Sequence, residues 1–115
     1  SRIVRELLSF LIVQAHDGRK VAAYGAAAKG NTLFNFAGVR PHLLPYVVDK
    51  NPAKQEKYLP GSHIPVVSEA HLRADRPDFV LILPWNLKDE VMEQLAYVRA
   101  WGGKFVTAVP RLEVL

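Results

Sequence analysis

The sequence has no cysteine and a single methionine, Met92, among its 115 residues. Without cysteine the chain cannot form a disulfide scaffold, an iron–sulfur site or a zinc site with thiolate ligands. It also lacks the run of about 18 apolar residues that a transmembrane helix requires. The longest apolar runs, such as 79–84, have the length of a strand. No signal-peptide pattern precedes the first predicted helix. We therefore expect a cytoplasmic protein without a membrane partner.

The length and the hydrophobic content are those of one domain. Domains of about 100–150 residues are the commonest, and 50% of this chain is hydrophobic. A chain of this size buries about two-thirds of its unfolded surface, which is sufficient for a core without covalent cross-links. The chain begins with Ser1 rather than methionine. We therefore expect residues 1–115 to be a single domain excised from a longer protein.

Positive charge is concentrated in one third of the chain. The formal net charge is +4, but segment 19–57 carries seven basic and two acidic residues, which leaves +5 there and −1 elsewhere. A localised excess of this kind favours an anionic ligand. Nucleic acid is less favoured, because no basic run alternates with aromatic residues and no binding motif is present. A solvated basic face is the plainer alternative, and charge alone does not decide between them.

Helix-type and strand-type patterns alternate along the chain. The segment 50–65 is polar and contains three of the eight prolines, the last of them Pro65, so it is predicted to be a long loop. Loops of this length in small domains are usually functional or disordered. In chain order, the predicted elements are a helix over 3–15 that ends near Asp17-Gly18, a strand at 20–24, a helix over 30–37, a strand at 45–49, an edge strand at 64–67, a helix over 69–73 capped by Ser68, a buried strand at 78–83, a helix from 87 to about 101 capped by Asn86, and a strand at 104–109.

Alternating strands and helices predict an α/β fold with a mostly parallel sheet between two helical layers, in the Rossmann-like manner. The expected strand order is 2-1-4-5, with the weak third strand at the edge beyond strand 2, and an amphipathic helix precedes the sheet. Ligands of such sheets bind at the carboxyl ends of the strands, where the strand order reverses. The segments expected at that edge are 25–30, 49–52, 84–86 and 109–110.

The stretch from Gly25 to Gly30 follows a predicted strand and leads into a helix. It keeps the first and third glycines of G-x-G-x-x-G, has Ala27 in the central place, and is followed by Asp49, 24 residues after Gly25. The central glycine lets the backbone approach a pyrophosphate, so the methyl group of Ala27 argues against nicotinamide dinucleotide binding. The helix amino terminus still offers free N–H groups to an anion, and Lys29 adds a positive charge. The alternative is that the two glycines serve only the turn and close helix packing.

The same stretch comes close to a Walker A loop, which requires a lysine directly after the second glycine. Asn31 occupies that place, and Lys29 lies two positions earlier. A lysine at that position points away from the β- and γ-phosphates, so we exclude an NTPase.

Four further residues are candidates for ligand binding. Trp85 and Asn86 follow a buried strand, where an indole can stack on a base or sugar and an amide can hydrogen-bond to it; core packing and helix capping are the alternatives. Tyr24 ends its strand next to the glycine turn. His63, in loop 50–65, is the best placed of four histidines, whose spacing does not match a metal site. No nucleophile–base pattern is present, so we predict neither a catalytic residue nor a metal.

Five segments of the chain carry a resemblance when they are taken together. They are 24–33, 48–55, 58–66, 83–87 and 102–106. Jointly they resemble the C-terminal domain of the sugar C-methyltransferase family, from about residue 20 to residue 110. One departure is Glu56, where relatives commonly have glycine.

The resemblance implies a three-part enzyme with a cysteine-rich zinc domain, an S-adenosylmethionine-binding domain and this Rossmann-like domain. It implies methyl transfer to a carbon of a deoxy-keto-sugar carried on a nucleoside diphosphate, typically dTDP. Because the catalytic residues and the methyl donor belong to the middle domain, we expect no cofactor in this domain and no activity from it alone. The expected partners are the sugar nucleotide and the two other domains, and a homodimer is left open.

The residues and the resemblance together predict a substrate-binding edge with the diphosphate near 25–31. The ten residues predicted to bind substrate are Tyr24, Gly25, Ala26, Lys29, Gly30, Asn31, Asp49, His63, Trp85 and Asn86. Two alternatives stay open. One is a degenerate nucleotide-binding domain that serves only as an assembly or dimer surface, and the other is a NAD- or CoA-binding domain.

Overall fold

A computed structural model describes residues 1–26 and 28–115. Ala27, the central residue of the glycine motif, lies outside the described residues. The helices are α1 (Arg2–His16), α2 (Ala28–Ala37), α3 (Glu69–Asp75) and α4 (Lys88–Gln94), with 3-10 turns at Trp85–Leu87 and Ala96–Trp101. The strands are β1 (Val21–Tyr24), β2 (Val47–Val48), β3 (Val66–Val67), β4 (Phe79–Ile82), β5 (Lys104–Thr107) and β6 (Glu113–Val114).

The strands form one sheet in the order β3-β2-β1-β4-β5-β6. The first five are parallel, and their order confirms the predicted 2-1-4-5 arrangement with the third strand at the edge. Strand β1 lies at the centre, where Ala23 is level with Val47 of β2 and with Leu81 of β4. The sequence analysis did not predict β6, which pairs antiparallel with β5 through only two residues. So short a strand has no pattern of its own.

Helices cover both faces of the sheet, as a doubly wound fold requires. Because successive strand residues point to opposite faces, Ala23 packs with α1 and α2 while Ala22 and Tyr24 pack with α3 and α4. The fully buried helix residues on the first face are Leu7, Leu11 and Phe34. On the second face Leu72 of α3 is fully buried, and so is Leu95, which directly follows α4. None of the helices in the described part of the chain is long and apolar enough to cross a membrane.

The helix predicted from 87 to about 101 is divided into two, and this prediction was wrong in detail. Asn86 lies inside the 3-10 turn Trp85–Leu87, and the residue before α4 is Leu87, which makes no side-chain capping bond. After Gln94 the chain tightens into the second 3-10 turn. That turn places the Trp101 indole so that its N–H donates to the Pro77 carbonyl oxygen (2.8 Å), a tertiary contact that periodicity does not reveal.

One helix start and one predicted cap also differ from expectation. Helix α2 begins at Ala28 rather than Gly30, so Lys29 and Gly30 lie in its first turn. Ser68 precedes α3 as predicted, but its side chain makes no capping hydrogen bond.

The loop 50–65 is anchored to helix α2 by side-chain hydrogen bonds. The Nδ2 atoms of Asn31 and Asn35 both donate to the Pro60 carbonyl oxygen (3.0 Å each). The Ser62 hydroxyl, fully buried, donates to Asn31 Oδ1 (3.0 Å). Three hydrogen bonds thus connect the loop to the helix that begins at the glycine turn, so the loop has a fixed position relative to that helix.

Glu56, in the loop 50–65, has a left-handed backbone with φ of 63°. A side chain costs about 1–2 kcal/mol in this region, while glycine adopts it freely. We expect Glu56→Gly to raise the free energy of unfolding by about 0.5–1 kcal/mol, after the larger entropy of an unfolded glycine is subtracted. Urea denaturation measures the change.

Glu93→Gly is the matched control, because Glu93 lies within α4 in a right-handed backbone. We expect that variant to lose about 0.5–1 kcal/mol. If Glu56→Gly were destabilised by as much as Glu93→Gly, the left-handed strain at Glu56 would not exist.

Candidate functional site

The glycine turn connects β1 to α2 at the carboxyl edge of the sheet, and its two glycines are closely packed. Gly25 has φ of +93°, and a Cβ atom there would lie 2.7 Å from Pro84 Cδ. A Cβ atom on Gly30 would lie 2.7 Å from Leu83 Cδ1. The Gly25 N–H donates to the Val48 carbonyl oxygen (2.8 Å). Turn formation and close packing thus explain both glycines, and their contact with an anion stays a prediction.

Asp49, at the end of β2, holds the turn against the next loop. Its Oδ2 accepts from the Ala26 N–H (2.9 Å) and its Oδ1 from the Asn51 N–H (2.8 Å). The Gln55 side chain donates to the Asp49 carbonyl oxygen (2.9 Å). The side chain is only 15% exposed. Both carboxylate oxygens are therefore engaged within the protein, and Asp49 acts as a positioning residue for Ala26.

A groove of about 290 Å³ lies beside the turn, on the side of β4 and β5. We call it the Trp85 groove. It brings together two predicted residues, Lys29 and Trp85, and its aliphatic wall includes Leu33 and Val109. The Lys29 side chain is exposed and makes no hydrogen bond or ion pair with the residues that the structure describes. An exposed ammonium that shares a groove with an indole suits a ligand that carries both an anionic and a flat or apolar part.

A second cavity, of about 220 Å³, lies on the other side of the turn, towards β2 and β3. We call it the Tyr58 cavity. Its lining includes Ala26 of the turn and Lys54, Lys57 and Tyr58 of the loop. The Lys54 ammonium lies 3.3 Å from the Ala26 carbonyl oxygen and 4.0 Å from Asp49 Oδ2. Three of the seven basic residues of segment 19–57, Lys29, Lys54 and Lys57, therefore line the two hollows beside the turn.

Four predicted residues point elsewhere. Tyr24 is buried, and its hydroxyl accepts a hydrogen bond from Gln94 Nε2 (2.7 Å); burial raises the pKa of the phenol. The Asn31 side-chain amide is hydrogen-bonded to the loop through both its nitrogen and its oxygen. His63 and Asn86 are exposed and, within residues 1–26 and 28–115, line neither the Trp85 groove nor the Tyr58 cavity. The capping role weighed for Asn86 is also contradicted, as described above.

Sequence reasoning missed two exposed aromatic residues that line these hollows. Phe36 is 76% exposed and lines the Trp85 groove, and Tyr58 is 67% exposed and lines the Tyr58 cavity. The spacing from Lys29 to Phe36 is two helical turns, which places both on one helix face. That spacing was a usable signal for Phe36, whereas no pattern in the loop distinguishes Tyr58.

A larger cavity, of about 430 Å³, opens at the amino end of the sheet. Its Asp75 carboxylate accepts from the Tyr46 hydroxyl (2.6 Å) and pairs with the Lys20 ammonium (3.0 Å). Burial disfavours the charged form of Asp75, but the Tyr46 and Lys20 hydrogen bonds outweigh it and lower the pKa of the carboxyl group. These polar groups satisfy one another, and the glycine turn lies at the opposite edge. The candidate site is therefore the carboxyl edge.

A doubly wound parallel sheet, with a glycine turn between β1 and α2 and two hollows beside it, defines a Rossmann-like domain. The family model for the C-methyltransferase C-terminal domain matches residues 1–110, and the chain therefore belongs to that family. C-methyltransferase NovU from Streptomyces niveus is 33% identical over 112 residues, which are 97% of this chain and 26% of the relative. The chain thus spans about a quarter of the length of that relative.

Proposed function

We propose that this domain positions a nucleoside-diphosphate deoxy-keto-sugar for methyl transfer to a sugar carbon within a larger cytoplasmic methyltransferase. Membership of the C-methyltransferase C-terminal domain family supports the assignment. The observation that carries it is the Trp85 groove, where Lys29 and Trp85 lie beside the glycine turn. The diphosphate is expected to lie at the start of α2, where free N–H groups and Lys29 favour an anion.

S-adenosylmethionine, the expected methyl donor, fits this domain poorly. The acid that would bind its ribose is Asp49, and both of its carboxylate oxygens already accept backbone N–H groups. The same contacts argue against NAD or CoA at this edge, since dinucleotide-type binding also uses that acid for the ribose. We assign the methyl donor and the reacting groups to other domains of the polypeptide, so the domain described here binds and orients.

The rival proposal is a surface used only for assembly. Phe36 supports it, because a 76% exposed phenylalanine next to an apolar groove is typical of an interface. The two proposals differ in what Lys29 does, since an apolar interface does not need a free ammonium.

The first test is Lys29→Ala. A charge-assisted hydrogen bond contributes about 1.5–3 kcal/mol, and an exposed lysine lies at the low end because water competes. We expect roughly tenfold weaker binding of a dTDP-sugar, measured by calorimetry at low and high salt. Added salt should weaken the wild type more than the variant, because the screened charge is present only in the wild type.

Lys104→Ala is the matched control, since Lys104 is exposed at the start of β5, at the amino edge. It removes the same charge and should leave binding unchanged. Trp85→Ala should also weaken binding, and the size of that loss should depend little on salt, because stacking does not depend on net charge. If Lys29→Ala binds the dTDP-sugar as tightly as the wild type at both salt concentrations, the turn serves packing alone and the assembly proposal is favoured.

A further inference from the structure

The two hollows lie on opposite sides of the glycine turn. Ala26 lines the Tyr58 cavity, towards β2 and β3, and Lys29 lines the Trp85 groove, towards β4 and β5. A diphosphate at the turn has a nucleoside on one side and a sugar on the other. The two hollows differ in chemistry, so the lining of each indicates which end of such a ligand it receives.

We infer that the Tyr58 cavity receives the nucleobase and that the Trp85 groove receives the sugar. The inference rests on the proposed function and adds the orientation of its substrate. It assigns to Tyr58 the role of a stacking platform for a pyrimidine base, to Lys57 the recognition of the polar edge of that base, and to Lys54 a contact with the phosphate next to the nucleoside.

Tyr58 has the geometry of a platform because its backbone is fixed while its ring is exposed. The residue forms an antiparallel bridge with Pro65. On either side of it, the Lys57 carbonyl oxygen accepts from the Val66 N–H (2.8 Å), and the Leu59 N–H donates to the Ile64 carbonyl oxygen (2.8 Å). A ring that is 67% exposed on a backbone held in this way loses little conformational freedom when a base stacks on it.

The polar groups around the Tyr58 cavity match a pyrimidine base. The carbonyl oxygens of such a base accept hydrogen bonds, and Lys57 offers an ammonium in the same cavity. Lys54 lies between the cavity and the turn, with its ammonium 3.3 Å from the Ala26 carbonyl oxygen, where it can contact the phosphate next to the nucleoside. Base, phosphate and turn are thus connected by two cations.

The Trp85 groove offers a nucleobase much less. Its wall is mainly apolar, so the polar edge of a base would lose water there and gain few polar partners in return. A deoxy-sugar has an apolar face that packs well on an indole, and its keto group requires only one donor. The aliphatic residues of the groove are Ile3, Val4, Leu33 and Val109.

The experiment compares three probes: inorganic pyrophosphate, dTDP and a dTDP-deoxy-sugar, each titrated by calorimetry. Base stacking on an aromatic ring is sequence-tolerant and substantial. We expect Tyr58→Ala to weaken dTDP binding roughly tenfold, equal to about 1.4 kcal/mol, and to leave pyrophosphate binding unchanged. Tyr58→Phe should bind dTDP like the wild type, since it keeps the ring. Phe36→Ala changes the exposed aromatic residue of the Trp85 groove. It should weaken binding of the dTDP-deoxy-sugar and leave dTDP and pyrophosphate binding unchanged.

A spectroscopic measurement separates stacking from a structural effect. The methyl resonance of the thymine base should move upfield on binding to the wild type and to Tyr58→Phe, and should lose that shift in Tyr58→Ala. If Phe36→Ala or Trp85→Ala weakens dTDP and Tyr58→Ala does not, the orientation is reversed and this inference is wrong, while the proposed function stands. If the wild type binds neither dTDP nor the dTDP-sugar, the proposed function itself fails.

Discussion

Gly25→Val is expected to lower the free energy of unfolding by about 2–4 kcal/mol and the melting temperature by roughly 10 °C. Two causes act together at this position. A side chain is strained at φ of +93°, and its Cβ atom would lie 2.7 Å from Pro84 Cδ, a contact that forces the strand ends of β1 and β4 apart. Thermal and urea denaturation of the purified variants measure the loss.

Two other glycines separate the two causes. Gly38 has φ of +75° with nothing within 4 Å of an added Cβ atom, so Gly38→Ala reports the strain alone. Gly30 lies in α2 with Leu83 Cδ1 2.7 Å from an added Cβ atom, so Gly30→Ala reports the crowding without a positive φ. The loss in Gly25→Val should exceed each of these. A loss no larger than that of Gly38→Ala would show that the Pro84 contact contributes nothing.

This part of the fold was predictable because its causes are local in the sequence. The strand, the glycine turn and the helix follow from residue types at fixed spacing, and the order of the parallel strands follows from the right-handedness of βαβ units. The carboxyl edge of the sheet then follows from the topology. Lys29 and Trp85 were therefore placed correctly at one edge, although 56 residues separate them in the sequence.

The misses have a common physical origin in contacts that only the folded chain makes. Asn86 has the residue type of a helix cap, but Trp85–Leu87 form a 3-10 turn and the cap position passes to Leu87. Strand β6 consists of two residues whose pairing depends on β5 already being in place. The Asn31 side chain donates to the Pro60 carbonyl oxygen of the loop 50–65, a contact that the residue type did not predict, and its contact with a ligand stays a prediction. Side chains near a predicted site often hold the site together instead of facing the ligand.

Asp49 is the clearest case, and Asp49→Asn is expected to cost about 1.5–3 kcal/mol of stability. The carboxylate accepts the N–H groups of Ala26 and Asn51 with its two oxygens. An asparagine has one oxygen and one NH₂ group, so one backbone N–H would face a donor and stay unsatisfied. Urea denaturation measures the loss, and faster hydrogen exchange of the Ala26 or Asn51 amide identifies which bond has broken.

Asp78→Asn provides the control, because Asp78 Oδ2 also accepts a backbone N–H, that of Lys20 (2.8 Å), but at the amino edge of the sheet. It should cost stability while leaving amide exchange at Ala26 and dTDP-sugar binding unchanged. Asp49→Asn should speed the exchange of the Ala26 amide and weaken dTDP-sugar binding, since Ala26 connects the glycine turn to the Tyr58 cavity. Should Asp49→Asn lose ligand affinity while the Ala26 and Asn51 amides exchange as slowly as in the wild type, the carboxylate contacts the ligand directly. Its assignment as a positioning residue would then be wrong.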